Sequence, residues 1–298
     1  MNAPVVIGAP AKINLYLHVL GGRQDGYHDL DSLVAFATLH DVITVAPADE
    51  WSLAIDGPFN EILSSSVSDR NNLVMRAAIM LAEHLGHSDG AAMRLHKMIP
   101  IEAGLGGGSA DGAAVLLALS RLWHAEVPMP MLSDMARRLG ADLPVCLHSR
   151  TAFMAGVGEQ IQIAPEVPPL GIVLVNPQVA VPTADVFRHW QKSGEPPPRP
   201  SYQPADPVSL INALRDCRND LTAPALAIAP VIGEALAAIE ATTGPLLARM
   251  SGSGATCFGL FADPVAAQSA AEQIALAQPE WWVRPGRLIR GREELVEF

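Results

Sequence analysis

The stretch PIEAGLGGGSADGAAVLLAL, Pro100 to Leu119, runs from a glycine-rich turn into a long apolar segment. Gly104, Gly106, Gly107 and Gly108 let the backbone take positive φ and approach a ligand with no Cβ in the way. An ordinary turn has no use for four glycines, each of which costs chain entropy. The segment Ser109 to Trp123 carries Ala and Leu on most of its faces, which predicts a buried helix. Unpaired N–H groups at its start, together with the positive end of its dipole, make an anion site. A Walker A loop would end in Gly-Lys-Ser/Thr, and no lysine stands there. A dinucleotide fingerprint fails as well. Its last glycine or alanine falls on Ser109 when counted from Gly104 and on Asp111 when counted from Gly106.

Upstream of this loop, Ile13, Leu15, Leu17 and Val19 alternate with Lys12, Asn14, Tyr16 and His18, the pattern of a half-buried strand. Asp25-Gly26 marks a turn, followed by strand-like runs at Leu33 to Thr38, Val42 to Ala46 and Trp51 to Ile55. Leu73, Ala77, Leu81 and Leu85 recur at helical spacing, with Gly86 as the expected C-cap, and Ala92 to Lys97 reads as a strand. Downstream, a helix around Leu132 to Leu139 ends at Gly140. Pro165, Pro168 and Pro169 precede a compact strand, Gly171 to Val175, and suggest two domains, 1–165 and 166–298. The Pro-rich stretch Gln191 to Asp206 reads as a surface loop. Ala225 to Ile239 reads as a helix broken near Pro230, Thr256 to Phe261 as a strand and Val265 to Ala277 as a helix. The fold class is therefore mixed α/β (α+β).

The 298 residues include 49% hydrophobic and 17% charged side chains, enough apolar material for sizeable cores. A net charge of −11 argues against a general nucleic-acid surface, which needs clustered Lys and Arg. Backbone amides and one or two cations suffice for a small anion. Cys146, Cys217 and Cys257 form neither a disulfide framework nor a zinc spacing, which fits a reducing compartment. No signal peptide opens the chain, and the longest uncharged run, Val167 to Ala184, is broken by four prolines. A soluble cytoplasmic protein with no membrane partner is expected.

The glycine loop resembles the GLGGGS phosphate loop of the GHMP kinases, the family of galactokinase, homoserine kinase and mevalonate kinase. Three further segments match in order: APAKINLYLHVLGGRQDGYHDL (Ala9 to Leu30), LGADLPVC (Leu139 to Cys146) and RMSGSGATCFGLF (Arg249 to Phe261). The first and second resemble the branch whose acceptor is a cytidine-diphosphate-linked methylerythritol. The resemblance implies two α/β domains with the active site in the cleft between them. It also implies ATP as co-substrate with Mg²⁺, and transfer to the acceptor's 2-hydroxyl in isoprenoid precursor synthesis. Two positions depart from the pattern. Ala110 replaces a second serine. Glu102 replaces a small residue, and its carboxylate is expected to turn away from a triphosphate.

Phosphoryl transfer needs in-line positioning, charge neutralisation and a proton acceptor. The resemblance assigns the last two tasks to Lys12 and Asp142. It places Asn72, Leu73 and Lys97 near the adenine. Pro100, Gly104, Leu105, Gly106, Gly107, Gly108, Ser109 and Ala110 are placed around the phosphates, with Ser109 a candidate Mg²⁺ ligand. Asn14, Tyr27, His28, Thr183 and Phe187 are assigned to the acceptor, Tyr27 and Phe187 as aromatic walls for a base. Residue type alone leaves other roles open: a strand lysine is commonly solvated, and an aspartate after a helix is commonly a turn former or N-cap. Two rival functions also remain, a homoserine- or mevalonate-type kinase and a catalytically silent nucleotide-binding regulator.

Overall fold

The computed structural model describes residues 3–60, 71–192 and 194–295. Two long antiparallel strands, β1 (Val5–Gly22) and β2 (His28–Pro47), form a hairpin closed by Gly26 at φ +86°. The two runs expected between Leu33 and Ala46 are one strand. Its middle keeps partners on β1, with His40 opposite Pro10 and Asp41 opposite Ala9, and the join between the two runs is marked only by a register shift between Phe36 and His40.

The other edge of β2 is shared by three strands in turn. β5 (Ala152–Gly156) covers Leu30 to Val34, β10 (Trp282–Ile289) meets Phe36 and Ala37, and β4 (Ala91–His96) covers Val42 to Pro47. β3 (Ser52–Asp56) lies parallel on β4, and β6 (Gln160–Ile163) lies on β5. β10 continues into β7 (Gly171–Asn176), β9 (Cys257–Phe261) and β8 (Leu247–Met250), so one sheet runs through both halves of the chain. No periodicity announces β10, because its sequence WVRPGRLI serves two neighbours at once.

α1 (Leu73–Leu85) starts where the Asn72 side chain accepts from the Val74 N–H and stops at Gly86, φ +63°. α2 (Gly107–Leu122) packs on β1 and β2, with α1 beside it, and its Ala-rich surface is buried as expected. α3 (Met129–Leu139) and α4 (Leu143–His148) follow, separated by the turn that carries Asp142. In the second half α5 (Thr183–His189), α6 (Pro207–Arg215), α7 (Thr222–Ile228), α8 (Val231–Glu240) and α9 (Pro264–Ala277) surround the strands; the break foreseen at Pro230 separates α7 from α8.

The stretch expected as a surface loop, 191–206, has neither helix nor strand in its described part; Ser193 lies outside the described residues. It is nevertheless anchored. The Tyr202 hydroxyl donates to the Pro165 carbonyl (2.7 Å), and Arg199 bonds Asp31 and stacks 4.6 Å over the Phe153 ring. A continuous core crosses the middle of the molecule, joining Ile13, Leu15, Ile99 and Leu105 to Ile172, Leu174, Phe258 and Leu288. No helix among the described residues is long and apolar enough to cross a membrane.

Candidate active site

The alternation in β1 predicts one wet face, yet Lys12, Asn14, Tyr16 and His18 are all buried. The second half of the chain covers that face. Leu17 exchanges backbone hydrogen bonds with Arg218 and Asp220, the Asn14 N–H donates to Ser251 Oγ (3.1 Å), and Arg249 donates to the Leu15 carbonyl. Register shifts on either side of the Lys12–Asn14 segment break the regular ladder there. Bulges of this kind re-aim side chains and are common beside active sites.

Lys12 and Asn14 consequently share one cleft. The Lys12 ammonium lies 2.9 Å from Asp142 Oδ2 and donates to Asn14 Oδ1 at 3.0 Å. Asn14 in turn donates to Ser32 Oγ (2.8 Å), which donates to the Tyr16 carbonyl, so the amide's orientation is set by buried partners. Asp142 stands at the N-cap position of α4 without capping it, and its side chain remains about one-third exposed. The turn-former role is thus not what its carboxylate performs. It faces a lysine across the cleft.

The glycine loop forms the wall beside Lys12. The Lys12 N–H donates to the Leu105 carbonyl, and Gly106, at φ +63°, sits where a Cβ would press on Lys12 Cε at 3.1 Å. Gly106 opens α2, and no side chain caps it. The first-turn amides are therefore left for a ligand, as an anion site requires. The loop is held from behind by the C-terminal glycine motif: Ser251 Oγ donates to the Gly104 carbonyl and the Thr256 N–H donates to the Ala103 carbonyl.

Beneath the loop lies a buried ionic cluster. Lys97 Nζ donates to Asp41 Oδ2 (2.5 Å) and Asp111 Oδ2 (2.6 Å), while Asp41 Oδ1 accepts from the Met98 and Ile99 amides. Burial disfavours the Lys97 ammonium, but the Asp111 and Asp41 carboxylates outweigh it and raise its pKa above the ordinary lysine value. Burial holds the Asp111 carboxyl well above the usual carboxylate range; Lys97 opposes the shift and Asp41 adds to it.

At the opposite end of the cleft the Tyr27-His28 turn meets α5. The His28 ring lies 5.0 Å from Phe187, and Thr183 shares a 2.7 Å hydroxyl hydrogen bond with Ser253. The whole depression measures about 1290 Å³. Lys12, Asp142, Asn14, Tyr27, His28, Thr183 and Phe187 line it, as do Asn72, Leu73, Lys97, Pro100, Gly104, Gly106, Gly107, Gly108 and Ser109. Leu105 and Ala110 do not: their side chains are wholly buried in the hydrophobic cores, so only their backbone belongs to the loop. Glu102, whose carboxylate is expected to turn away from a triphosphate, is an exposed residue of the cleft wall at φ +51°.

Asp111, Ser253 and Trp190 line the cleft and were not singled out from the sequence. Trp190 follows Phe187 at helical spacing, a signal that was present. In sequence Asp111 is a polar residue on a helix rich in Ala and Leu. Only the fold brings Asp41 and Lys97 to it.

The family model for the GHMP kinases N terminal domain matches residues 72–150, and that for GHMP kinases C terminal matches residues 206–279. Over 283 residues the chain is 49% identical to a Paramagnetospirillum magneticum protein named 4-diphosphocytidyl-2-C-methyl-D-erythritol kinase, covering 95% of this chain and 98% of the relative. A Rhodospirillum rubrum protein of the same name is 46% identical, with 96% and 93% covered. The crystal structure of a 4-(cytidine 5'-diphospho)-2C-methyl-D-erythritol kinase superposes with a TM-score of 0.75 at 38% identity, covering 95% and 98% of the two chains. Homoserine kinase from Cytophaga hutchinsonii shares the fold, with a TM-score of 0.71 at 18% identity and coverages of 98% and 97%. The chain belongs to the GHMP kinase family.

Proposed function

We propose that this protein transfers the γ-phosphate of ATP to the 2-hydroxyl of 4-diphosphocytidyl-2-C-methyl-D-erythritol in the non-mevalonate route to isoprenoid precursors. The observation that carries this reading is the 2.9 Å Lys12–Asp142 pair, set between a glycine-lined anion cradle and an aromatic acceptor end within one cleft. Asp142 accepts the proton of the attacking hydroxyl, and Lys12 neutralises charge on the phosphoryl group in flight. Asn14 holds Lys12 in place. The amides of Gly106 to Ser109 take the phosphates, with Asn72, Leu73 and Lys97 toward the base of the nucleotide. Tyr27, His28, Thr183 and Phe187 hold the cytidine end. In this reading residues 1–165 form the nucleotide-binding domain and 166–298 the domain that completes the acceptor site.

Mg²⁺ arrives with ATP. Its usual binding through one or two protein oxygens plus phosphates and waters suits the Ser109 hydroxyl in the cleft wall. When bound, it offsets the charge of the phosphate oxygens. Three unpaired, buried cysteines fit a reducing cytoplasmic setting.

An ADP-release assay with 4-diphosphocytidyl-2-C-methyl-D-erythritol, homoserine and mevalonate tests the proposal. Turnover of the first alone is expected. Turnover of either other alcohol instead would move the chain to another branch of the family. ATP binding with no alcohol consumed would make it a silent nucleotide-binding protein.

A further inference from the structure

The His28 imidazole is held from two sides. Phe187 lies against it at 5.0 Å with the ring planes 30° apart, and Trp190 meets it at 5.5 Å with the planes at 84°, an edge contact. A base sandwiched between two rings needs them about 7 Å apart, twice an optimal carbon–carbon contact. The 5.0 Å spacing leaves no such gap between His28 and Phe187. His28 and Phe187 therefore do not clamp a base between them; the His28 ring nitrogens lie on its edge, while the Tyr27 ring, 60% exposed, remains open for stacking.

An edge that reads a base by hydrogen bonds must point correctly, because such bonds weaken steeply off axis. Rotation about the bond to an imidazole is intrinsically soft. Among the described residues, Phe187 and Trp190 are the rings that bound this one. Trp190 closes α5 and packs against the core of the second half together with Leu30 and Phe187, so it ties the helix to the first residues of β2. Phe187 lies tilted against the imidazole and Trp190 meets it in a T-shaped contact. A tilted contact and a perpendicular one together fix a ring that either alone would leave free to turn.

We infer that Trp190 is a positioning residue for acceptor specificity: it locks the His28 ring so that its nitrogens read the cytosine edge. This rests on the acceptor proposed above.

Steady-state kinetics of Trp190→Ala and Trp190→Phe, with CDP and UDP binding by calorimetry, test it. W190A should raise the KM for the cytidine-linked alcohol about tenfold, the upper range for an aromatic edge contact converted to affinity. The KM for ATP should stay in place, and the preference for CDP over UDP should shrink. W190F keeps an aromatic edge and should recover most of the acceptor KM. A W190A protein with the parent's acceptor KM and CDP preference would overturn the role. So would one in which both KM values, kcat and the melting temperature deteriorate together, because that marks a purely structural loss. If the parent itself fails to prefer CDP and turns over no cytidine-linked alcohol, the acceptor proposal falls and takes this inference with it. A parent that prefers CDP beside an unaltered W190A overturns Trp190 alone.

Discussion

Gly104 touches Ser251 so closely that a Cβ on the glycine would lie 2.2 Å from the Ser251 carbonyl oxygen and 2.9 Å from that of Gly254. Two glycine motifs 147 residues apart are thereby packed backbone to backbone, and the Ser251 hydroxyl bonds the Gly104 carbonyl across the contact. The phosphate loop is shaped by the second half of the chain as much as by its own sequence.

This contact separates two substitutions that look alike. Gly104→Ala puts a methyl into backbone at φ +73° and should cost about 2–3 kcal/mol, with a raised KM for ATP. Gly108→Ala meets nothing within 4 Å and lies inside α2, so it should hold or slightly raise stability, by less than about 1 kcal/mol. Thermal unfolding of both variants without nucleotide is the measurement. Equal melting temperatures would contradict the packing described.

The Lys12–Asp142 pair predicts a loss confined to turnover. Asp142→Ala should lower kcat at least about 100-fold, the lower range for losing a general base. Lys12→Ala should do the same, and the double variant should be little worse than either single one, since the two act as a unit. Undiminished kcat in a folded D142A protein, checked by circular dichroism, would remove Asp142 from the mechanism.

The buried cluster under the loop makes stability depend on pH in a definite direction. The native Asp111 carboxyl keeps its proton at pH values where an unfolded one, with a pKa of about 3.9, has lost it. Folding takes up a proton in that window, so the Asp111 contribution falls as pH rises from about 4 toward the native value. Asp111→Asn removes the titration while keeping an oxygen for Lys97. Chemical denaturation at about pH 5 and about pH 8 should show the D111N protein gaining relative to the parent as pH rises. Parallel behaviour would mean that Asp111 ionises as freely folded as unfolded.

Much of the first half was legible because its signals are local. The C-cap of α1 at Gly86, the glycines before α2 and the turn at Asp25-Gly26 are short-range patterns that tertiary contacts left intact. β10 was not legible, because its residues answer to β2 on one side and β7 on the other, and neither partner is near in sequence. The family motifs led to Lys12 and Asp142, but nothing in their spacing of 130 residues says that the two side chains touch.

By its sequence alone this protein determined where its anion cradle begins, which helix it opens and which segments match the family. The tertiary structure decided that the polar face of β1 is dry, that Asp41, Lys97 and Asp111 form one ionic cluster and that Trp190 stands against His28. The division has a physical cause. Backbone propensity and capping act over one or two turns, whereas burial and charge pairing depend on which distant surface arrives to exclude the water.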